Sequence, residues 1–401
     1  MRTALIAALK RTGSGALRAE LQLAGRSVLA RQVDLLRAHG CEKILCLCER
    51  VEGEVLRLQH EVEAAGGSFH ALRGFLRLPA LVRAEDELVI LADGLLPDPD
   101  LVAALFAHAP PPRFTAVLPT ESPLVAAHPD DFERIDARYH WAGLLAMRGA
   151  PVQHLADFPP DADAVSLLLR LALQAGTPIR PLPDAGPVPR GWLIATGEAA
   201  LAAQEEALII RAAGEPDWRR PSQAAARLAA RALGTRGLER GPTLALLGAG
   251  VLLVGAVAAS AFGVPGAGLV LAVGGALGAA LAEALGRLQL DLLGKGPSPR
   301  TAALAAAAVD ILAAFALLLA LSPAPVGALV VAPLAVLGPV VLGLARLVRG
   351  ATPPAPLAIA ADRAVLLGVL ALAAALGLLP LATALFALVL LGGLLLHDGA
   401  S

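Results

Sequence analysis

The chain has 401 residues, 56% of them apolar, 17% charged and 3% aromatic, with a mean hydropathy of +0.67, which excludes a disordered polymer, a collagen and a disulfide scaffold. A formal net charge of −1 gives no argument for a nucleic-acid partner. The charge is unevenly spread: residues 1–241 hold 27 basic and 29 acidic side chains (net −2), and residues 242–401 only six and five (net +1). That contrast predicts a water-soluble half joined to a membrane half.

The chain opens with an apolar stretch of only six residues, 4–9, with no small-residue cleavage site after it, so a secretory signal peptide is not expected. Residues 3–8 read as a buried strand, followed by a loop over 10–18, a helix over 27–39 and a second strand over 42–48. A helix at about 53–65, a short apolar segment near Phe69 and an apolar strand ending in Asp93-Gly94 continue the pattern. This order predicts an α/β domain with parallel strands, a Rossmann-like layout in which ligands bind beyond the carboxyl ends of the strands. Lys10, the 10–18 loop and Asp93 fall there.

Gly13 and Gly15 suit a loop whose backbone N–H groups approach a phosphate, with Lys10, Arg11 or Arg18 supplying positive charge; a flexible connection is the alternative. Asp93 is placed to hold a divalent metal carrying a nucleoside triphosphate, or else to form an ordinary Asp-Gly turn. Cys41, Cys46 and Cys48 lie within eight residues, with no second Cys/His cluster at zinc-site spacing, and read as buried reduced thiols. His140-Trp141, Trp192 and Trp218 read as packing or interfacial groups, and Glu205-Glu206 as a solvated helix face.

Residues 216–241 form a basic amphipathic linker containing Arg219, Arg220, Arg227 and Arg231. Apolar runs at 243–262, 266–284, 302–321 and 325–344 each approach the ~20 residues that cross a bilayer. A fifth run, 364–396, would be about 50 Å long as one helix against a hydrocarbon core of about 30 Å. Dividing it at Leu379-Pro380 gives six spans in total, two of them short. Basic residues collect before span 1 (Arg227, Arg231, Arg236, Arg240), between spans 2 and 3 (Arg287, Lys295, Arg300) and between spans 4 and 5 (Arg346, Arg349, Arg363), whereas the other connections are uncharged. The positive-inside rule then places both the N-terminal half and the C-terminus in the cytoplasm of an inner-membrane protein. Small residues such as Gly274-Gly275-Ala276 favour close helix approach and are compatible with a homodimer through the bundle. Glu283 either pairs with Arg287 one turn later or serves a site; Asp310, inside span 3, is a candidate functional group.

The order of the N-terminal pieces resembles the sugar-nucleotide and MobA-like nucleotidyltransferases. Residues 23–40 look like that family's entry into the first helix, and residues 89–101 like its metal-aspartate strand. The resemblance implies an NTP substrate, CTP or another, Mg²⁺ at Asp93, nucleotide contacts from Lys10, Gly13, Gly15 and Arg18, and a polyol or sugar phosphate as co-substrate. The match has gaps: Leu9 replaces a glycine of the first loop, Leu17-Arg18 stands for a Pro-Lys pair, and residues 193–199 keep Thr196 and Glu198 but no metal-facing carboxylate.

Residues 242–401 resemble the six-span CDP-alcohol phosphotransferases, which some relatives carry behind a nucleotidyltransferase, as in the bifunctional inositol-phosphate cytidylyltransferase and phosphotransferase. That chemistry needs four aspartates to hold two metals and deprotonate an alcohol. Here Asp310 matches the fourth, Ala306 stands at the third, Ala302 at a glycine, and Glu283 and Asp291 are too far apart for the first pair. The resemblance therefore implies a membrane protein of phospholipid or polyol-phosphate metabolism, with a membrane lipid as partner, whose transfer half is degenerate. A non-catalytic partner or regulator of an active lipid synthase is the alternative. A transporter would need polar groups along a path through the bundle, and only Asp310 and the Pro380 break qualify. The expected domains are 1–215, the linker 216–241 and 242–401.

Overall fold

The computed structural model describes residues 1–107, 113–182, 191–234, 238, 240–294, 296–322, 333–350 and 353–398. The chain divides into two compact units, Met1–Glu205 and Glu206–Ser401.

In the first unit the strands are β1 (Arg2–Ala8), β2 (Gln22–Leu23), β3 (Arg26–Ser27), β4 (Lys43–Cys48), β5 (Ser68–Leu72), β6 (Glu87–Leu91), β7 (Leu95–Leu96), β8 (Phe114–Pro119), β9 (Tyr139–Arg148), β10 (Ile179–Pro181) and β11 (Leu193–Ile194). Its helices are α1 (Val28–Ala38), α2 (Gly53–Ala64), α3 (Leu78–Leu81), α4 (Pro99–Phe106), α5 (Pro123–Ala127) and α6 (Ala164–Gln174); α7 (Glu198–Ala213) follows. Seven strands form one sheet in the order β10-β8-β9-β6-β1-β4-β5. β1 pairs in parallel with both β4 and β6, and β9 runs antiparallel between β6 and β8. Past their first residues the central parallel strands β1, β4 and β6 are continuously apolar, as strands buried on both faces are, and Ala4, Leu5, Ile6, Ile44, Leu45 and Ile90 are all fully buried. Helix α1 begins where expected: the Ser27 hydroxyl accepts from Ala30 N, and Val28, Leu29, Val33 and Leu36 form its buried stripe. All three cysteines are buried and free. Trp141 and Trp192 are buried with their indole N–H groups donated to Leu144 O and Ala142 O, while Trp218 is exposed.

The second unit contains α8 (Pro221–Leu233), α9 (Gly241–Ala261), α10 (Pro265–Leu293), α11 (Pro299–Ala320), α12 (Leu337–Gly350), α13 (Ala355–Ala360), α14 (Arg363–Ala375) and α15 (Leu379–Asp398). Four helices among the described residues, α9, α10, α11 and α15 through Leu396, are long and apolar enough to cross a membrane. The expected break before Pro380 is present. The fifth apolar segment, however, forms a helix of only 13 residues, because Asp362 caps its start and Gly377, at φ +71°, follows its end. Residues 325–332 of the expected fourth span lie outside the described residues, as do Arg236 and Lys295; α12 begins at Leu337.

Small residues set the spacing of the bundle. A Cβ on Gly275 of α10 would come within 2.6 Å of Leu253 Cγ and 3.2 Å of Ala249 O on α9. Gly275→Val must therefore push α9 and α10 apart, an overpacking change of about 1–3 kcal/mol. The expected result is a lower thermal midpoint of the helical unit in detergent, whereas Gly248→Ala, with nothing within 4 Å of the added methyl, leaves the midpoint unchanged.

Candidate functional site

The candidate site of the first unit lies beyond the carboxyl ends of β1, β4 and β6, in a cleft of about 420 Å³ lined by Lys10, Cys48, Arg73, Asp93, Asp131 and Trp141, among others. Asp93 follows β6 and is 7% exposed. One carboxylate oxygen, Oδ2, accepts from the backbone N–H groups of Leu9 and Lys10, both at 2.6 Å, which ties the end of β6 to the end of β1. The other, Oδ1, is buried without a hydrogen-bond partner. Burial pushes the Asp93 carboxyl above its ordinary range, and the two N–H groups with Lys10 and Arg18 offset only part of that.

The turn after Asp93 is fixed from two sides. Gly94 adopts φ +76°, and its missing Cβ leaves room for the Arg18 side chain, whose Cδ lies 3.0 Å from where that atom would be. Gln32, buried on α1, donates through Nε2 to Ala92 O at 2.9 Å and Leu95 O at 2.8 Å. Arg18 Nη1 and Lys10 Nζ converge on one oxygen of Asp131, each at 2.7 Å. Burial raises the Asp131 carboxyl, but the hydrogen bonds from Arg18 and Lys10 outweigh it, so the group is held below its ordinary range.

Of the expected nucleotide contacts, Lys10 lines the cleft and Arg18 reaches its wall through Asp131. Gly13 and Gly15 lie in a hairpin closed by an Arg11–Leu17 bridge, with open space around both; Arg11 ion-pairs with Glu49. The segment that resembles the family's late metal pattern, residues 193–199, packs beside the Asp93 turn: Ala195 N donates to Gly94 O at 2.8 Å, and β11 pairs with β7. Among the described residues no group of three or more His, Cys, Asp or Glu is arranged to hold a metal. The donor set is thus one unpartnered carboxylate oxygen, which fits an ion that keeps its waters and arrives on a nucleotide's phosphates better than one caged by protein.

Gln32 and Asp131 were not picked out by the sequence, and Cys48 was read there only as a buried reduced thiol. Cys46 and Cys48 point to the same side of β4, and the hydrogen bond from Cys46 holds the Cys48 thiol down to about 7 at the edge of the cleft. A buried glutamine in the apolar stripe of α1 was the readable signal for Gln32. Asp130-Asp131 after Pro129 looks like an ordinary turn.

In the second unit a cavity of about 660 Å³ is lined by Arg220, Arg349, Asp362 and Arg363 together with alanines that include Ala302 and Ala306. Asp310 lies beside it and is engaged by three guanidinium groups. Arg363 makes two contacts, Nε to Oδ1 at 2.6 Å and Nη2 to Oδ2 at 2.8 Å; Arg346 and Arg349 follow at 3.1 and 3.4 Å. Both oxygens are occupied and three positive charges surround them, an arrangement that does not fit the divalent metal expected at Asp310. Glu283 pairs with Arg287.

A mostly parallel sheet, with an aspartate at the carboxyl end of a central strand beside a basic loop, is the α/β nucleotidyltransferase fold. Residues 10–174 match the family model of the MobA-like NTP transferase domain, and the N-terminal unit carries that domain. No curated protein matches the chain. Among solved structures it is similar to the inositol-1-phosphate CTP transferase from T. maritima (17% identity, 51% of this chain and 94% of that one, TM-score 0.40). It is also similar to a putative glucose-1-phosphate thymidylyltransferase from Bacillus anthracis in complex with a sucrose (12% identity, 52% and 95%, TM-score 0.37).

The raised Asp93 carboxyl fixes the sign of a stability effect. Between the ordinary aspartate value and its raised folded value, the folded protein holds a proton that the unfolded chain has lost, so this group's contribution to stability falls as pH rises through that window. Unfolding followed by the fluorescence of Trp141 and Trp192 is expected to show wild type losing stability relative to Asp93→Asn from about pH 4 upward; a pH-independent difference contradicts it.

Proposed function

We propose that the protein is a membrane-anchored nucleotidyltransferase of phospholipid or polyol-phosphate metabolism, in which the N-terminal unit takes CTP or another NTP with Mg²⁺ and the helical unit is a CDP-alcohol phosphotransferase-like bundle that has lost metal-dependent transfer. The reading rests above all on Asp93: a nine-tenths buried carboxylate with one unpartnered oxygen, beside Lys10 in a cleft of an NTP transferase domain. The proposed layout is a catalytic domain over residues 1–215, a basic linker over 216–241 and a six-span bundle over 242–401, with both ends in the cytoplasm and a homodimer through the bundle.

On this reading each residue of the cleft has a simple task. Lys10 and Arg18 balance phosphate charge, and Asp131 holds their heads in place until a nucleotide competes for them. The N–H groups of Leu9 and Lys10 hold Asp93 through Oδ2 and leave Oδ1 without a protein partner, and Gln32 keeps the turn from relaxing. Mg²⁺, bound through Asp93 Oδ1 and the phosphates, would supply the positive charge that draws electrons from the phosphoryl group under attack. Hydroxyls of a polyol or sugar phosphate would meet the polar side of the cleft, where Asp130 and Asp161 stand.

A second reading, a non-catalytic partner or regulator of an active lipid synthase that still binds nucleotide, is favoured by Ala195, which stands beside Gly94 where the family resemblance implies a metal-facing carboxylate. Pyrophosphate release separates the two. Full-length protein in detergent, given Mg²⁺, CTP and a panel of polyol and sugar phosphates, is expected to release pyrophosphate. Asp93→Ala is expected to lower that rate by about a hundredfold or more, and Asp131→Ala to raise KM for the nucleotide more than it lowers kcat. No release with any NTP overturns the catalytic reading and leaves the second.

A further inference from the structure

We infer that the cavity of the helical unit binds the phosphate head of an amphiphile through guanidinium groups alone, without a divalent metal. The inference rests on the reading of that unit as a bundle that has lost its metal carboxylates, and it adds what the remaining residues bind.

Charge balance is the first argument. Arg346, Arg349 and Arg363 share the single carboxylate of Asp310, and Arg220 donates to the carbonyl of Arg349. Glu283, which also lines the cavity, is balanced by Arg287, and Asp362 is committed elsewhere: Oδ1 accepts from Ala364 N and Val365 N, and Oδ2 accepts from Ser222 N at 3.1 Å and Ser222 Oγ at 2.7 Å. Four guanidiniums against two carboxylates leave two positive charges in excess. The Arg349 and Arg363 side chains are only 17% and 20% exposed, so much of that excess is removed from water, where an unbalanced charge is costly. A phosphate ester carries one to two negative charges and the acceptor geometry that guanidinium groups match.

The cavity's shape supplies the second argument. Beyond Arg220, Arg349 and Arg363 the wall carries polar groups such as Gln223, Thr243 and Gln289, but most of it is small and apolar, with Ala276, Ala279, Ala302 and Ala306 keeping the volume open. A polar end with positive charge and a long apolar wall suit an amphiphile rather than a fully hydrated ion. Metal is disfavoured by the same residues: Asp310 is enclosed by guanidiniums, Asp362 by N–H and O–H donors, and Glu283 by Arg287.

Lipid binding to the full-length protein in detergent, with EDTA present, tests this. Phosphatidic acid is expected to bind, diacylglycerol is not, and inorganic phosphate is expected to displace the lipid only at far higher concentration. Arg349→Gln is expected to weaken binding by about tenfold or more. Ala306→Leu, which fills the cavity and leaves every charge in place, is expected to do the same while the melting behaviour of the helical unit is kept. Binding of diacylglycerol as tight as that of phosphatidic acid, no binding of phosphatidic acid, or binding unchanged in both variants overturns the inference. Inorganic phosphate bound as tightly as the lipid overturns the amphiphile, and binding that EDTA abolishes overturns both the metal-free site and the reading that the metal carboxylates are lost. Pyrophosphate release, read in parallel, reports the N-terminal unit separately.

Discussion

Two backbone N–H groups converging on one oxygen of Asp93 hold the N-terminal site together. They come from Leu9 and Lys10, the first residues after β1, and reach the first turn after β6, so the ends of two adjacent parallel strands are locked by a single carboxylate. The same bond aims the backbone of Lys10 and thereby starts the loop that returns Arg18 over Gly94. Without it the group would be a buried negative charge with no compensation, and that charge would be expelled or protonated. With it, one oxygen is satisfied and the other remains available.

The helical unit treats its buried aspartate in the opposite way. Asp310 stands one helical turn from Ala306 and two from Ala302, so no neighbouring carboxylate shares its face of α11. Its company is cationic instead, drawn from the ends of α12 and α14. A carboxylate held by Arg363 through two parallel contacts is rigid and fully engaged, and it orients the guanidiniums that crowd around it. Asp362 reinforces this by capping α14 and gripping the start of α8 with the same carboxylate. Those two aspartates fix where the positive charge of the cavity sits.

How much of this was readable in the sequence follows from how local each cause is. Strands β1, β4 and β6 and helix α1 declare themselves by continuous apolar runs and a serine cap, and Asp93 by being polar at the end of such a run. The partners of these groups are invisible because they come from far along the chain: Asp131 meets Arg18 across 113 positions, Gln32 meets Leu95 across 63, and Arg363 meets Asp310 across 53. The glycine-rich loop beside Lys10 is closed as a hairpin by pairing of Arg11 with Leu17, which its composition did not disclose. Hydropathy counted apolar residues correctly in the last third but not helix ends, because the length of α14 is decided by an aspartate cap and a glycine in the left-handed region.

The contrast between the two aspartates bears on what each half can do. Metal-assisted phosphoryl chemistry requires a ligand oxygen with no better partner, and Asp93 Oδ1 meets that requirement while neither oxygen of Asp310 does. Removing the arginines from Asp310 would still leave Ala302 and Ala306 on its face, so restoring one carboxylate could not rebuild a two-metal clamp. Conversely, adding a carboxylate at Ala195 would place two acidic groups beside Gly94 and bring the N-terminal site nearer to a protein-held metal. In this chain, therefore, the first site keeps a carboxylate oxygen without a protein partner, whereas the second surrounds its carboxylate with guanidiniums.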